Sequence, residues 1–586
     1  MTHQPSGRVL VLGDNDLASL AIVRSLGRAG LDVHLVLTET KPITRHSRYV
    51  RQTYDLGNPV SEGPQFIENL LQAVMGQKFD LVIPVADKTL LPLFAERDRF
   101  REFTRLAIPN ETGYEVAFHK DKTIELAREL GVPVPDTHLL TAPHEMERLS
   151  GDTEFPLVLK PQFSTSLTST RRNEVKIVGS ADELHQKLPE MLTRSPVLVQ
   201  SFCPGQGAGV SILADRGEVF AAFQHQRVHE PPRGGAGAYR QSVPLRDDLL
   251  QAVRKMCEQM EWTGPAMFEF KIDPRTNEAV LMEINGRFWG SLALAVGAGV
   301  DFPRLLYDFL VLDKKTPTFT YKSPYYMRHT LRDIWWFWAN LRTPSGNPEL
   351  LKVPWSRVCG ELGHIVTLRE GYDVESITDP LPAVYGWSGF VKDITGTLWS
   401  KLGRRSHARQ AQRLVLRTRQ NDPEIVRRIA AADSVLFICF GNINRSAVAA
   451  IRFRELLQTA PHPVAVTSAG FYPEENRPTS PLSSEVAREL GIDLSEHRSR
   501  TVTAEMLDQH DLIVAMDSSH LESLQKNWPD AVPRTILLSA FDDSEQDVDI
   551  PDPHGKSRET FHKTYARIVR CVDRLAQSVA STKPNA

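Results

Sequence analysis

A cysteine and an arginine with five residues between them, Cys439 and Arg445 in VLFICFGNINRSAVAA (435–450), are the side chains of this chain best placed to do chemistry. Residues 435–438 are apolar and predict a buried strand. Gly441 supplies permissive backbone, and Ser446 opens a run of helix formers. A loop between a strand end and a helix start turns its N–H groups toward one centre, which binds phosphate and stabilises a thiolate. The Arg445 guanidinium adds a planar fork for phosphate oxygens. Such a set attacks phosphorus. A lone cysteine after a strand is ordinarily a small buried hydrophobe; the glycine and arginine at these spacings argue for a site here.

A second set lies upstream. AMFEFKIDPRTNEAVLMEINGRF (266–288) reads as two strands about a turn, with Glu269 on the first and Glu283, Asn285 and Arg287 on the second. Alternation puts the last three on one face. Oxygen ligands from adjacent strands suit Mg²⁺ bound to nucleotide phosphates. Lys122 falls in a helix predicted from Lys120 to Leu130, which Gly131 and Pro133 end. Lys160 closes the strand FPLVLKP (155–161). A lysine there is ordinarily solvated, but the carboxylates downstream give it a second reading.

The elements that must hold these residues alternate. RVLVLG (8–13), a helical pattern over 17–30, a strand at 32–37 and another in FDLVIPV (79–85) form a βαβ opening. Its first turn, Asp14-Asn15-Asp16, lacks G-x-G-x-x-G, so a nicotinamide cofactor is not expected. After Ser446, strands at 463–469 and 511–516 alternate with helices at 483–490 and 559–575, as a small doubly wound parallel domain requires. Between the halves, DIWWFW (333–338) and VYGWSGFVKDITGTLW (384–399) are aromatic and residues 401–428 are basic. These read as a packed patch and a linker helix. The alternative is an interfacial surface with aromatics at lipid headgroups and arginines toward anionic lipid.

At 586 residues the chain exceeds the roughly 250–300 residues at which single cores stop growing, so several domains are expected. With 41% hydrophobic and 24% charged residues it has ordinary globular composition. A net charge of −3 gives no bias toward nucleic acid, and none is expected as a partner. Five scattered cysteines make neither a disulfide framework nor a metal cluster. The first residues lack a signal peptide's long apolar core, and no apolar run reaches spanning length; a reducing cytoplasm is expected.

The loop at 439–446 resembles that of the low-molecular-weight protein tyrosine phosphatases, whose pattern is C-x-x-G-N-x-x-R-S after a strand. The likeness extends over about 434–578 through Thr467-Ser468-Ala469-Gly470, Glu496-His497-Arg498, Met516-Asp517 and Asp552-Pro553. It implies Cys439 as nucleophile forming a phosphocysteine, Arg445 on the phosphate, Asp552 as general acid, and Ser446 assisting the thiolate. Asn442, Ser468 and His497 would form the hydrogen-bond network that shapes the loop, and no cofactor is needed. Two departures stand out. Asn444 occupies the place of a second loop cysteine in many relatives, and His554-Gly555 follows the D-P pair where an aromatic is frequent. Arsenate reduction, on the same fold, needs shuttling cysteines, and none lies between Arg445 and Asp552.

Residues 8–310 resemble the ATP-grasp superfamily, in which an α/β domain and two α+β subdomains enclose ATP. The resemblance implies Lys122, Lys160 and Arg287 on ATP phosphates, Glu269, Glu283 and Asn285 on Mg²⁺ or Mn²⁺, and the hinge Gln200, Ser201, Phe202 and Cys203 along adenine. Gln200-Ser201 stands where many relatives have Gln-Glu. EPPRGGAG (230–237) looks like the mobile loop over the triphosphate.

The expected protein is therefore α/β multidomain: an α/β domain at 1–115, ATP-grasp at 116–312, an extension at 313–430, and the doubly wound phosphatase domain at 431–580. The expected function is bifunctional. An ATP- and Mg-dependent ligase activates a carboxylate as an acyl phosphate for an amine or thiol, and a phosphatase acts on phosphotyrosine protein or aryl phosphate. In the alternative, the ATP-grasp half senses nucleotide and regulates or scaffolds the phosphatase. By resemblance the setting is exopolysaccharide synthesis, with a polysaccharide-export complex or the inner membrane face as partner.

Overall fold

The computed structural model describes residues 7–13, 16–38, 42–149, 154–163, 175–230, 237–343, 353–367, 369–458 and 463–582. The chain divides into two compact units, 1–391 and 392–586.

In the first unit, β1 (Arg8–Gly13), β2 (Asp32–Leu37), β3 (Val50–Tyr54), β4 (Leu81–Pro84) and β5 (Arg105–Leu106) form a parallel sheet in the order β3-β2-β1-β4-β5. Its central strands β1 and β4 are largely apolar because both faces are covered, whereas the edge strand β3 (VRQTY) is polar and partly exposed. Val9 and Val11 meet Ile22 and Leu26 of the helix Asp16–Arg28, while Leu10 and Leu12 meet Phe66 and Leu70 of the helix Gly63–Gln77. A smaller antiparallel sheet follows: β6 (Thr137–Leu140), β7 (Leu157–Pro161), β8 (Lys176–Val178) and β9 (Val197–Ser201), in the order β6-β9-β7-β8.

The third sheet has seven strands in the order β14-β13-β10-β11-β12-β15-β16. These are β10 (Gln206–Asp215), β11 (Glu218–His229), β12 (Tyr239–Ser242), β13 (Gly264–Ile272), β14 (Ala279–Asn285), β15 (Tyr326–Arg328) and β16 (Glu370–Tyr372). The expected extension thus contributes two strands to this sheet, and its helices are tied in by buried charge. His229 reaches Asp333 at 2.7 Å through Nδ1 and Glu361 at 3.2 Å through Nε2, and its ring stacks on Trp336 at 3.4 Å. Of the clustered tryptophans, Trp336 is buried, whereas Trp335 and Trp338 are 60% and 50% exposed. Among the described residues no helix is long and apolar enough to cross a membrane.

In the second unit, β17 (Ser434–Cys439), β18 (Ala465–Gly470), β19 (Leu512–Ala515) and β20 (Thr535–Leu537) form a parallel sheet in the order β18-β17-β19-β20. The helix Leu381–Arg419, in which the division between the units falls, supplies Ala411, Leu414 and Val415 to this unit's core. The C-terminal part of the expected linker helix therefore packs. The helices Arg445–Leu457 and Arg558–Thr582 cover the sheet through Val448, Phe453, Tyr565 and Ile568.

Candidate active sites

Strand order reverses at β17, and at the carboxyl end of such a strand doubly wound folds place their ligands. There the chain leaves the sheet at Cys439 and enters the helix Arg445–Leu457. Asn442 makes the turn at φ 49°, a left-handed conformation that asparagine tolerates. Gly470 at the end of β18 allows the close approach, since a Cβ there would lie 2.7 Å from Phe440 O and 2.8 Å from Asn442 N.

The loop closes on the sulfur. The Asn442 N–H donates to Cys439 Sγ at 3.2 Å, and Ser446 Oγ lies 3.0 Å from the same atom. The Asn442 side-chain amide donates to Ser446 Oγ and Ser468 Oγ, both at 3.0 Å, and His497 Nε2 donates to the Asn442 carbonyl at 2.7 Å. Burial holds His497 below its ordinary pKa, so a neutral imidazole makes that bond. Arg445 is buried and donates to Asp517 at 2.6 Å, to Ile550 O at 2.8 Å and to Asp552 Oδ2 at 2.8 Å. Burial opposes its charge, and Cys439, Asp552 and Asp517 more than offset that, holding its pKa above the ordinary value. Its Nε has no partner among the described residues. Cys439, Ser446, Arg445 and Asp552 are thus together, with Asn442, Ser468 and His497 behind them.

His520 was not legible as part of this set. It lies buried beside Asp517 at 3.3 Å, and burial pushes it down to about 4 from an ordinary 6.5. Between these values the unfolded chain takes up a proton that the folded one refuses. Stability of this unit should be intact above pH 6.5 and drain by up to about 3 kcal/mol as pH falls toward 4. Unfolding midpoints of His520→Gln should vary less over that window than those of the wild type; parallel profiles would remove His520 as the source.

In the first unit, Glu269 and Glu283 face each other across β13 and β14. Asn285 Nδ2 donates to Glu269 Oε1 at 3.2 Å, and Arg227 donates to Glu269 Oε2 at 2.7 Å. Burial, with help from the Glu283 charge, raises the Glu269 carboxyl against the pull of Arg227. Two facing carboxylates and an amide oxygen make a hard, all-oxygen donor set that fits Mg²⁺ or Mn²⁺. No group of three or more His, Cys, Asp or Glu that could hold a metal occurs among the described residues, so the third oxygen would be that of Asn285.

Two lysines face this pair. Burial lowers the pKa of Lys160, with Glu283 opposing and Lys120 adding to the fall. Burial likewise lowers Lys120, against the pull of Glu283 and Asp87, and its Nζ donates to Pro161 O at 3.2 Å. Lys122, expected on the phosphates, points elsewhere: it pairs with Glu115 at 3.2 Å and is 40% exposed. Positions two apart on a helix face nearly opposite ways, so Lys120 turns inward where Lys122 turns out. Arg287 reaches Asp87 at 2.7 Å, joining the N-terminal sheet's helix Asp87–Ala95 to the end of β14.

Along the hinge, Gln200 is buried and donates to Thr137 Oγ1 at 3.0 Å, leaving its Oε1 unpartnered among the described residues. Ser201 Oγ accepts from Asp136 N at 3.1 Å, and Lys271 donates to Cys203 O at 3.1 Å beside the Phe202 ring. Burial pushes the Cys203 thiol up. The expected mobile loop falls largely at 231–236, outside the described residues.

Residues 434–585 match the family model described as low molecular weight phosphotyrosine protein phosphatase. Over 148 residues the chain is 31% identical to the low molecular weight protein-tyrosine-phosphatase Etp of Escherichia coli K12, covering 25% of this chain and 95% of Etp. The chain belongs to the low molecular weight phosphotyrosine protein phosphatase family. Within that family, the solved tyrosine phosphatase Wzb from Escherichia coli K30 in complex with sulphate is 32% identical, with a TM-score of 0.23, and the match covers 25% of this chain and 97% of that one. Ahead of the phosphatase domain, residues 193–329 match a model described as ATP-grasp in the biosynthetic pathway with Ter operon. D-aspartate ligase of Enterococcus faecium is 24% identical over 334 residues, covering 53% of this chain and 78% of that one. An ATP-grasp, ligase-like module is therefore fused to the phosphatase.

Proposed function

We propose that the chain is bifunctional: a phosphotyrosine phosphatase acting through a phosphocysteine, joined to an ATP-dependent ligase that activates a carboxylate as an acyl phosphate. The observation that carries the first half is the thiol of Cys439 held by Ser446 and the Asn442 amide, with Arg445 bridging to Asp552. The Cys439 thiolate attacks phosphorus in line, forming an S–P bond as the P–O bond to the phenol breaks. Asp552 gives its proton to the departing phenolate. Arg445 and the loop amides hold the equatorial oxygens, with the unpartnered Nε of Arg445 a donor in reserve. Asp552, now a carboxylate, takes a proton from the water that displaces sulfur, and Ser446 steadies the leaving thiolate.

Asp552→Ala should slow phenol departure by roughly 10²–10⁴-fold. The loss should shrink for aryl phosphates whose phenols are acidic enough to leave unprotonated. An equal loss across leaving groups would assign the proton to another residue.

For the ligase, Lys120, Lys160 and Arg287 would meet the ATP phosphates and offset charge as the γ-phosphoryl group passes to a carboxylate oxygen. Glu269, Glu283 and Asn285 would hold Mg²⁺ or Mn²⁺, which when bound neutralises phosphate charge. The backbone at 200–203 would lie along adenine. The phosphoryl transfer breaks the bond to the β-phosphate and leaves ADP; an amine then attacks the acyl carbon, the C–O bond to phosphate breaks, and an amide, inorganic phosphate and a proton result. An amino acid is the substrate class we favour, from the name of the Enterococcus faecium relative. The second reading, nucleotide sensing that controls the phosphatase, would be favoured by ATP binding without ADP release in the presence of candidate acids and amines.

A further inference from the structure

Three arginines stand beside the phosphate loop, and among the described residues none of them has a carboxylate partner. Arg477 donates to Gly441 O at 2.7 Å and to Glu474 O at 3.0 Å, with its guanidinium 4.2 Å from the Tyr472 ring centroid. Arg498 is exposed and donates only to the carbonyls of Ser495 and His497, at 3.0 and 2.8 Å. Arg500 gives its backbone N–H to Asn442 Oδ1 at 2.8 Å, and its exposed side chain makes no hydrogen bond among the described residues. Elsewhere in this unit Arg452, Arg558, Arg567 and Arg574 are each paired with an acid, while Arg419 and Arg454 donate to backbone carbonyls.

The loops that carry the three are fixed to one another. Asn476 N donates to Ser499 O at 2.8 Å, Ser499 N to Arg477 O at 3.0 Å and Arg477 N to Ser499 Oγ at 3.0 Å. Of the acids on these loops, Glu475 accepts from Thr501 N at 3.0 Å, while Glu474 and Glu496 make no ion pair with the arginines, so an incoming anion breaks no salt bridge. On the same side, the Phe440 and Tyr472 rings lie 5.9 Å apart and are 55% and 37% exposed.

We infer that this platform is an anion subsite beside the phosphate loop: Phe440 and Tyr472 flank the phosphotyrosine ring, and Arg477, Arg498 and Arg500 take a second anionic group of the same peptide. The inference rests on the phosphatase reading. Carboxylate and phosphate present the same chemistry to a guanidinium, so the ligand class is an acidic or multiply phosphorylated tyrosine peptide.

The test uses the full chain and three peptides: a phosphotyrosine flanked by Asp and Glu, the same sequence with Asn and Gln, and that neutral sequence with a second phosphotyrosine. Wild type should favour the anionic peptides by about 3–10-fold in kcat/KM, mostly through KM, with the preference shrinking as salt rises. In Arg498→Gln/Arg500→Gln the ratio should fall toward one. Titrating the same peptides against Cys439→Ser reads the subsite by binding, independently of turnover. Turnover with equal kcat/KM for all three overturns the subsite and leaves the phosphatase standing. Tighter binding of the anionic peptides without wild-type turnover does the reverse. A preference unchanged in the double variant also overturns the assignment. Preference for the second phosphate over Asp and Glu would support the subsite and name its ligand.

Discussion

Cys439→Ser should abolish aryl phosphate hydrolysis, with kcat falling at least about 10⁴-fold, while the unfolding midpoint stays near that of the wild type. The two effects separate because the thiol does little for packing that a hydroxyl cannot do. Its neighbours are a hydroxyl at 3.0 Å and a backbone N–H at 3.2 Å, both of which a serine oxygen can satisfy. What serine lacks is the nucleophilicity of sulfur toward phosphorus. Rapid acid quenching should trap phosphate on wild-type protein and none on the variant. A kcat within about tenfold of wild type would place the nucleophile elsewhere. Repeating both assays with Mg-ATP would read any coupling between the halves.

The phosphatase site was legible because its chemistry is local. Strand, loop and helix start lie within sixteen consecutive residues, 435–450, where period and spacing are strong signals. Asp552 lies 107 positions from Arg445, and only resemblance could pair them. His520 left no signal: a histidine on a surface-type helix looks the same whether it faces solvent or Asp517. In the ATP-grasp half, the two adjacent strands carrying Glu269 and Glu283 were readable from their apolar pattern about a turn, though not the register that pairs them, and the lysines show the limit of spacing arguments. The segment HKDK holds two, and which turns inward depends on where the helix begins, which sequence places only to within a residue or two. Asp87 and Arg227 come from elements remote in sequence, so no local pattern ties them to the site. The strands β15 and β16, three residues each, are too short to show a period, so residues 313–391 read as an extension although they complete a sheet.

Lys160→Met should lower ATP-dependent ADP release by roughly 10²–10³-fold, because a buried cation that meets developing phosphate charge does most of its work in the transition state. The variant's stability should move the other way or not at all. Burial and the neighbouring Lys120 both depress the Lys160 pKa, so its charge costs the folded state free energy that a neutral side chain of similar length does not. Opposite signs for activity and stability distinguish a functional lysine from one that holds the sheet. The measurement is ADP release with a panel of carboxylates and amines, beside thermal unfolding without nucleotide, on which bound ATP cannot act. If release and midpoint fall together, Lys160 is a structural member of β7. The phosphate contact would then pass to Lys120, whose Nζ reaches Pro161 O and which senses the same Glu283.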